Sequence, residues 1–204
     1  MEEIKVPLHE SWALPEDFAT LFQYFWHRDF PIDQIATGAK RTDWTIHIGV
    51  VVRNIADLMG LVTRFERRGR KDAVLRSTDG DEIAIEWEWG GVWGQNEIEK
   101  LKQHIWSKRK EDRDRLLKYA VLITYTHTPN INKVYEEVMK RWEGARWPLL
   151  LILIDLVKSK IFSSGKEFKN IQMSIFDGEK RREIRVAPAF PWEVSGTRWS
   201  LESK

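Results

Sequence analysis

Three acidic side chains, Asp72, Glu86 and Glu88, carry the most chemistry in this sequence. Side chains alternate faces along a strand, and residues two apart sit about 6.5–7 Å apart on one face. In the run Ile83-Ala84-Ile85-Glu86-Trp87-Glu88-Trp89 that period sets Glu86 and Glu88 on one side and Ile85, Trp87 and Trp89 on the other. Asp72 lies across Thr78-Asp79-Gly80-Asp81, whose Asp-Gly pair favours a tight hairpin turn. Antiparallel pairing about that turn brings Asp72 beside the glutamates. Three unpaired carboxylates repel one another and raise one another's pKa, a cost that a divalent cation removes. Oxygen-only donors, with positions left for water and phosphate, suit Mg²⁺ or Mn²⁺ rather than zinc.

A basic run precedes this group. Arg64, Arg67, Arg68, Arg70 and Lys71 meet only Glu66, and could hold a phosphate backbone without regard to sequence and with strong salt dependence. The same run also suits a solvated sheet edge that resists pairing with another sheet. The five histidines show no ligand spacing. Of the eleven tryptophans, Trp44, Trp87 and Trp142 read as core residues, whereas Trp26, Trp192 and Trp199 are free to line a dimer interface or a nucleic-acid cleft.

Elements must position these groups. Aromatic residues at helical spacing predict a helix over Pro15 to Arg28, with proline in its first turn. A second helix is expected over Thr45 to Met59, with Asp43 as its cap and Gly60 as its stop. Leu61–Glu66, Asp72–Arg76 and Glu82–Trp89 read as strands. A long charged helix, Gln95 to Lys118, follows, with Ile98, Leu101 and Ile105 as its buried seam. Then come a strand at Tyr119–Tyr125, a helix at Asn132–Glu143 and a strand at Leu149–Leu156, whose unbroken apolar character marks coverage on both faces. A closing hairpin joins Phe168–Phe176 to Glu183–Val186 around Asp177-Gly178. The order predicts an α/β sandwich with a mixed sheet.

The 204 residues form one expected domain, with a core at 45–156, an N-terminal helical extension at 1–44 and a C-terminal hairpin and tail at 157–204. Zero cysteines exclude disulfides, thiolate metal sites and cysteine nucleophiles. The 33 basic and 31 acidic residues give a net charge of +2, which neither supports nor excludes an anionic partner. No apolar run approaches the roughly 20 residues that span a bilayer, and the acidic start is unlike a secretory signal. The expected address is the cytoplasm.

Arg70-Lys71-Asp72-Ala73-Val74-Leu75, Asp79-Gly80 and Ile83-Ala84-Ile85-Glu86-Trp87-Glu88 resemble the core of the PD-(D/E)XK nuclease superfamily. In that pattern an Asp begins an apolar strand and an acid-x-Lys tripeptide ends the next. The stretch from Ile55 to Phe65 is similar to the helix and first strand of archaeal Holliday junction resolvases of the same superfamily. The resemblance covers roughly residues 45–156 and implies a restriction endonuclease-like α-β-β-β-α-β core. It implies hydrolysis of DNA phosphodiesters by a homodimer, with Mg²⁺ or Mn²⁺ held by Asp72, Glu86, the Trp87 carbonyl and Glu88. Two departures stand out. Lys71 replaces the motif proline, and Glu88 replaces the motif lysine, as in an acid-x-Glu variant. The missing cation is then expected from the following helix. At about 100° per residue, Lys102 lies some 40° from Ile98 and Lys100 points almost oppositely, which favours Lys102 as the catalytic cation. A further acid from the helix before the first strand stays open among Asp43, His47 and Asp57. A catalytically silent relative that binds nucleic acid or a partner is the alternative.

Overall fold

The computed structural model describes residues 14–31, 41–67, 71–93, 96–103, 117–158 and 166–195. The elements are α1 (Pro15–Arg28), α2 (Arg41–Leu58), β1 (Val62–Arg67), β2 (Lys71–Ser77), β3 (Gly80–Glu88), α3 (Glu97–Lys102), β4 (Tyr119–His127), α4 (Ile131–Trp142), β5 (Leu149–Lys158), β6 (Lys166–Asp177) and β7 (Lys180–Pro188). The strands form one seven-stranded mixed sheet in chain order. β1, β2 and β3 make an antiparallel meander, β4 runs parallel to β3 and β5 parallel to β4, and β6 and β7 close the sheet antiparallel. The class is mixed α/β. Among the described residues no helix is long and apolar enough to cross a membrane.

Strand periodicity divides the core. Ala73, Leu75, Ile83, Ile85, Val121 and Ile123 face α1 and α2, while Ala84, Leu122, Leu149 and Leu151 face Ile98 and Leu101 of α3 and Val134, Val138 and Trp142 of α4. β5 is fully buried from Leu149 to Ile154, as its unbroken apolar run requires. α1 begins at Pro15, where proline's missing N–H costs nothing, and Asp17 accepts the Leu14 N–H at 3.3 Å. α2 starts four residues earlier than expected, so Asp43 lies within its first turn rather than capping it. Gly60, at φ 69°, supplies the left-handed residue that ends it. The predicted helix from Gln95 to Lys118 is described only over Glu97–Lys102. Residues 104–116 lie outside the described set, and Lys118 is not helical, its N–H donating to the Glu82 carbonyl at 2.9 Å.

Aromatic rings lock α1 and α2 to the sheet. Trp26, expected to be unconstrained, is fully buried, stacks on Trp44 at 5.4 Å and donates its indole N–H to the Ala189 carbonyl at 2.8 Å. Trp44 meets Phe168 edge-on at 4.4 Å, and Trp192 stacks on Phe190 at 4.5 Å. Trp199 lies outside the described residues. Trp26 therefore belongs to packing, not to a nucleic-acid cleft. Trp26→Ala is expected to lower stability by about 3–5 kcal/mol, the range for emptying a large aromatic site, whereas Trp93→Ala, at 41% exposure, should cost under about 1 kcal/mol. Urea unfolding followed by circular dichroism measures both.

Candidate active site

The site begins at a break in the β2–β3 ladder. Ala73 pairs with Ile85 in the last register pair at this end of the two strands. Asp72 and Glu86, one step further, stand opposite each other on the face turned away from α1 and α2. The Asp72 carboxylate reaches into the plane of the sheet and accepts the Trp87 N–H at 2.7 Å. Within a strand the N–H and C=O of one residue point to the same neighbour, so the Trp87 carbonyl also points toward β2, beside Asp72.

The two carboxyls are neighbours, and Glu86 is the one whose neutral form is favoured. Its side chain is 1% exposed, and burial first, then the neighbouring Asp72 charge, push its pKa up to about 8 against the pull of Lys100 and Lys71. Burial also raises Asp72, opposed by the Trp87 N–H and the Glu86 contact. Glu86 Oε1 is buried with no hydrogen-bond partner.

Lys100 faces this pair, and Lys71 is enclosed near enough to be felt by Glu86. Lys100 Nζ lies 3.8 Å from Glu86 Oε2 and 3.0 Å from Glu97 Oε1. Burial would lower its pKa, but Glu97, Glu86 and Asp72 outweigh that and hold it raised. Lys71 is 3% exposed, and burial lowers its pKa in spite of Glu86. This corrects its expected role, because a lysine so enclosed is not an exposed phosphate contact.

The cation from the following helix is also corrected. Lys102 Nζ donates to the Arg141 carbonyl at 3.1 Å and to the Glu143 carbonyl, closing the end of α4. Lys100 is the cation beside the acids. Ile98 and Leu101 are the buried residues of α3, and Lys100 and Lys102 leave the helix on opposite flanks of that pair. The seam alone does not say which flank meets the acids, and a four-carbon stem brings Lys100 round from an apparently outward position.

Glu88 projects from the same face one step further along β3 and lines a narrow cleft with Gly91, Val92, Glu97, Ile98 and Leu122. Its Oε1 accepts the Gly90 N–H at 2.8 Å and lies 4.0 Å from an Arg41 guanidinium nitrogen. The sequence reading missed Glu97, whose Oε2 is buried without a partner. Its signal is the position one helical turn before Lys100, at the start of the helix after Gly90-Gly91. The acids weighed in α2 are not in this group: Asp57 is exposed, and His47 is buried among Trp26, Trp44 and Phe30 with its pKa lowered to about 4 by burial. Arg64 is exposed and pairs with Val74 of β2, on the face that carries Asp72. Arg67 lies on β1, while Arg68 and Arg70 fall outside the described residues.

The donors suit a hard divalent cation. Two adjacent carboxylates and a backbone carbonyl, one buried carboxylate oxygen being unpartnered, are what Mg²⁺ takes while keeping most of its water. No three His, Cys, Asp or Glu side chains among the described residues form a ready-made cage, so the pair is the nucleus of the site. No family model matches the chain and no curated protein matches it.

The raised Glu86 pKa has a consequence for stability. A folded chain keeps this proton to about pH 8, whereas an unfolded chain releases it near 4.5. The folded form therefore binds more protons across that window, and stability falls as pH rises through it. Glu86→Gln, which stays neutral, should flatten this dependence between about pH 5 and 8. Urea midpoints measured across that range test it, and an unchanged slope would place the ionisation elsewhere.

Proposed function

We propose that the protein is a divalent-metal-dependent phosphodiesterase that cuts DNA as an endonuclease, with a restriction endonuclease-like core. The observation that carries this reading is the Asp72–Glu86 pair on adjacent strands, Glu86 buried and Asp72 half-buried, with Lys100 3.8 Å from Glu86. The succession α2, β1, β2, β3, α3, β4, with an antiparallel meander followed by a parallel strand, is the order the resemblance implies. It supports the reading without deciding it.

Asp72, Glu86 and the Trp87 carbonyl would hold the Mg²⁺ or Mn²⁺, with Glu88 and Glu97 lining the neighbouring cleft. The ion supplies a water of lowered pKa and a positive charge for the phosphate oxygens. Asp72 is oriented for this by the Trp87 N–H. Glu86 would give up its proton to a bound cation. Lys100, charged at neutral pH, would orient the attacking water or stabilise charge developing on the phosphate. Arg64, on the same face as Asp72, would meet the nucleic-acid backbone.

A second reading is favoured by Glu88, which stands where the motif lysine would be and is engaged by Gly90. In that reading the chain is a silent nuclease-fold protein that holds nucleic acid or a protein partner.

Supercoiled, linear and branched DNA incubated with the protein and Mg²⁺ or Mn²⁺ decide between them. Cleavage is expected. Asp72→Ala and Glu86→Ala should each lower it by more than the roughly 10–100-fold that loss of an outer-shell partner costs. If all three DNA forms stay intact, the hydrolytic reading fails. DNA binding in chelator that is unchanged by both substitutions would favour the silent reading.

The two lysines of α3 separate in the same assay. Lys100→Met should lower the cleavage rate by about 10²–10³, as for loss of one charge-stabilising donor. Lys102→Ala should leave the rate nearly unchanged while lowering stability by about 1–2 kcal/mol, since it removes charged hydrogen bonds to the end of α4. The reverse pattern would return the catalytic role to Lys102.

A further inference from the structure

Residues 90–93, which lead the chain out of β3, are tied down at every position but one. Gly90 donates its N–H to Glu88 Oε1 at 2.8 Å. Gly91 is buried at φ 84°, a backbone conformation that favours glycine, and a Cβ there would stand 3.5 Å from both the Tyr125 carbonyl oxygen and the Trp93 ring. Val92 is 3% exposed in the cluster of Ile98, Leu101 and Leu122, and its carbonyl accepts an Arg141 guanidinium N–H at 2.7 Å. Trp93 alone turns outward. It is 41% exposed, the one exposed tryptophan among the described residues.

A loop pinned at three successive residues holds this indole in a fixed place. The ring rests on Gly91, and Gly91 lines the cleft with Glu88, Val92, Glu97, Ile98 and Leu122. An aromatic face is therefore presented at the mouth of the cleft, beside the strand end that carries Glu86 and Glu88. Val92 already packs the loop onto α3, so the exposed indole adds little to folding, in keeping with the small stability change expected of Trp93→Ala. A rigid aromatic side chain offers a large contact area at small cost in conformational entropy.

The chemistry of the mouth selects its ligand. In the proposed function the acids and their ion take a phosphate, and a flat apolar ring fixed beside them suits a flat partner. A nucleotide carries both groups on one sugar. Stacking on an aromatic side chain accepts any base, because every base has a π face. Inside a duplex those faces are covered by neighbouring pairs, so a base that meets Trp93 must be unpaired. We propose that Trp93 is a stacking platform for an unpaired base next to the phosphate at the Asp72–Glu86 pair, which makes the site prefer DNA with unstacked bases to continuous duplex. This inference rests on the DNA reading above, though not on hydrolysis itself.

Fluorescence anisotropy of the full chain in Ca²⁺, with the labelled DNA checked afterwards for intactness, tests it. A single strand and the same strand annealed to its complement are compared at one salt concentration, because phosphate contacts alone depend steeply on salt. Trp93→Ala should weaken binding of the single strand about 5- to 150-fold, the equivalent of one stacked base. Trp93→Phe should keep most of the affinity, and duplex binding should be nearly unchanged in either variant. A fluorescent adenine analogue in the single strand should be quenched by the unaltered chain and not by Trp93→Ala. Circular dichroism confirms that the variants are folded. Equal losses on both DNAs, no loss on either, or quenching that survives Trp93→Ala would overturn the inference. Cleavage in Mg²⁺ separates it from the reading on which it rests. If the unaltered chain cuts DNA while Trp93→Ala binds the single strand normally, this inference alone fails; if the unaltered chain neither binds nor cuts, both fail.

Discussion

A single backbone amide governs the candidate site. β3 is paired on both sides, antiparallel to β2 and parallel to β4, and the pairing with β4 continues to Glu88 after the pairing with β2 has stopped at Ile85. The Trp87 N–H, left facing the vacated side, is a part-buried donor without a main-chain partner on β2. Asp72 satisfies it with a side chain instead of a main-chain carbonyl. This fixes the carboxylate's position by the same requirement that builds the sheet. Because Glu86 lies directly opposite, the two acids are forced together.

The remaining groups follow from that forced contact. Burial, and after it the neighbouring Asp72 charge, favours the neutral form of Glu86, the more enclosed of the two acids. Lys100 and Lys71 moderate the field without cancelling it. Lys100 shares its charge with Glu97, and Lys71 is itself buried so that its charged form is disfavoured. A group of acids compensated this incompletely is the basis on which a small hard cation is proposed for the site. The sheet's other half has no such tension. There Asp155, also buried, accepts the Asn170 N–H on one oxygen and the Gln172 side-chain amide at 3.3 Å on the other, at an irregularity of β5.

Elements governed by local chemistry were readable from the sequence. α1 has the bounds that Pro15 and the aromatic spacing announced, and both hairpins form where the Asp-Gly pairs stand, but one residue off the expected loops: Thr78-Asp79 and Gly178-Glu179 make the turns, Gly80 opens β3 and Asp177 ends β6. The alternation through Ile85-Glu86-Trp87 put Glu86 on the correct face, and the hairpin put Asp72 across from it. Tertiary choices were not readable. The helical seam of Ile98 and Leu101 gave the buried side of α3, but the placement of α4 decided which lysine was taken up by carbonyls and which was left for the acids. Lys71 belonged to a basic run in the sequence, yet the entry of β2 into the sheet turned it inward. Glu97 follows the glycine break that obscures where the chain turns back over β3, so nothing local tied it to Asp72 and Glu86.

The sheet divides its labour along one axis. β4 and β5 are buried on both faces and flanked by paired strands, which makes them the rigid part, while the meander β1–β3 extends from them to β1, which has one strand neighbour among the described residues. The acids lie where the meander meets the rigid part, so their separation is set by the register of β2 on β3 and is insensitive to movement at the edge. β1 contributes no backbone group to the Asp72–Trp87 contact. It is nonetheless bound to β2 from Val62–Arg76 to Arg67–Lys71. That pairing also steadies the residue before Asp72, and through it the charge that Glu86 must balance.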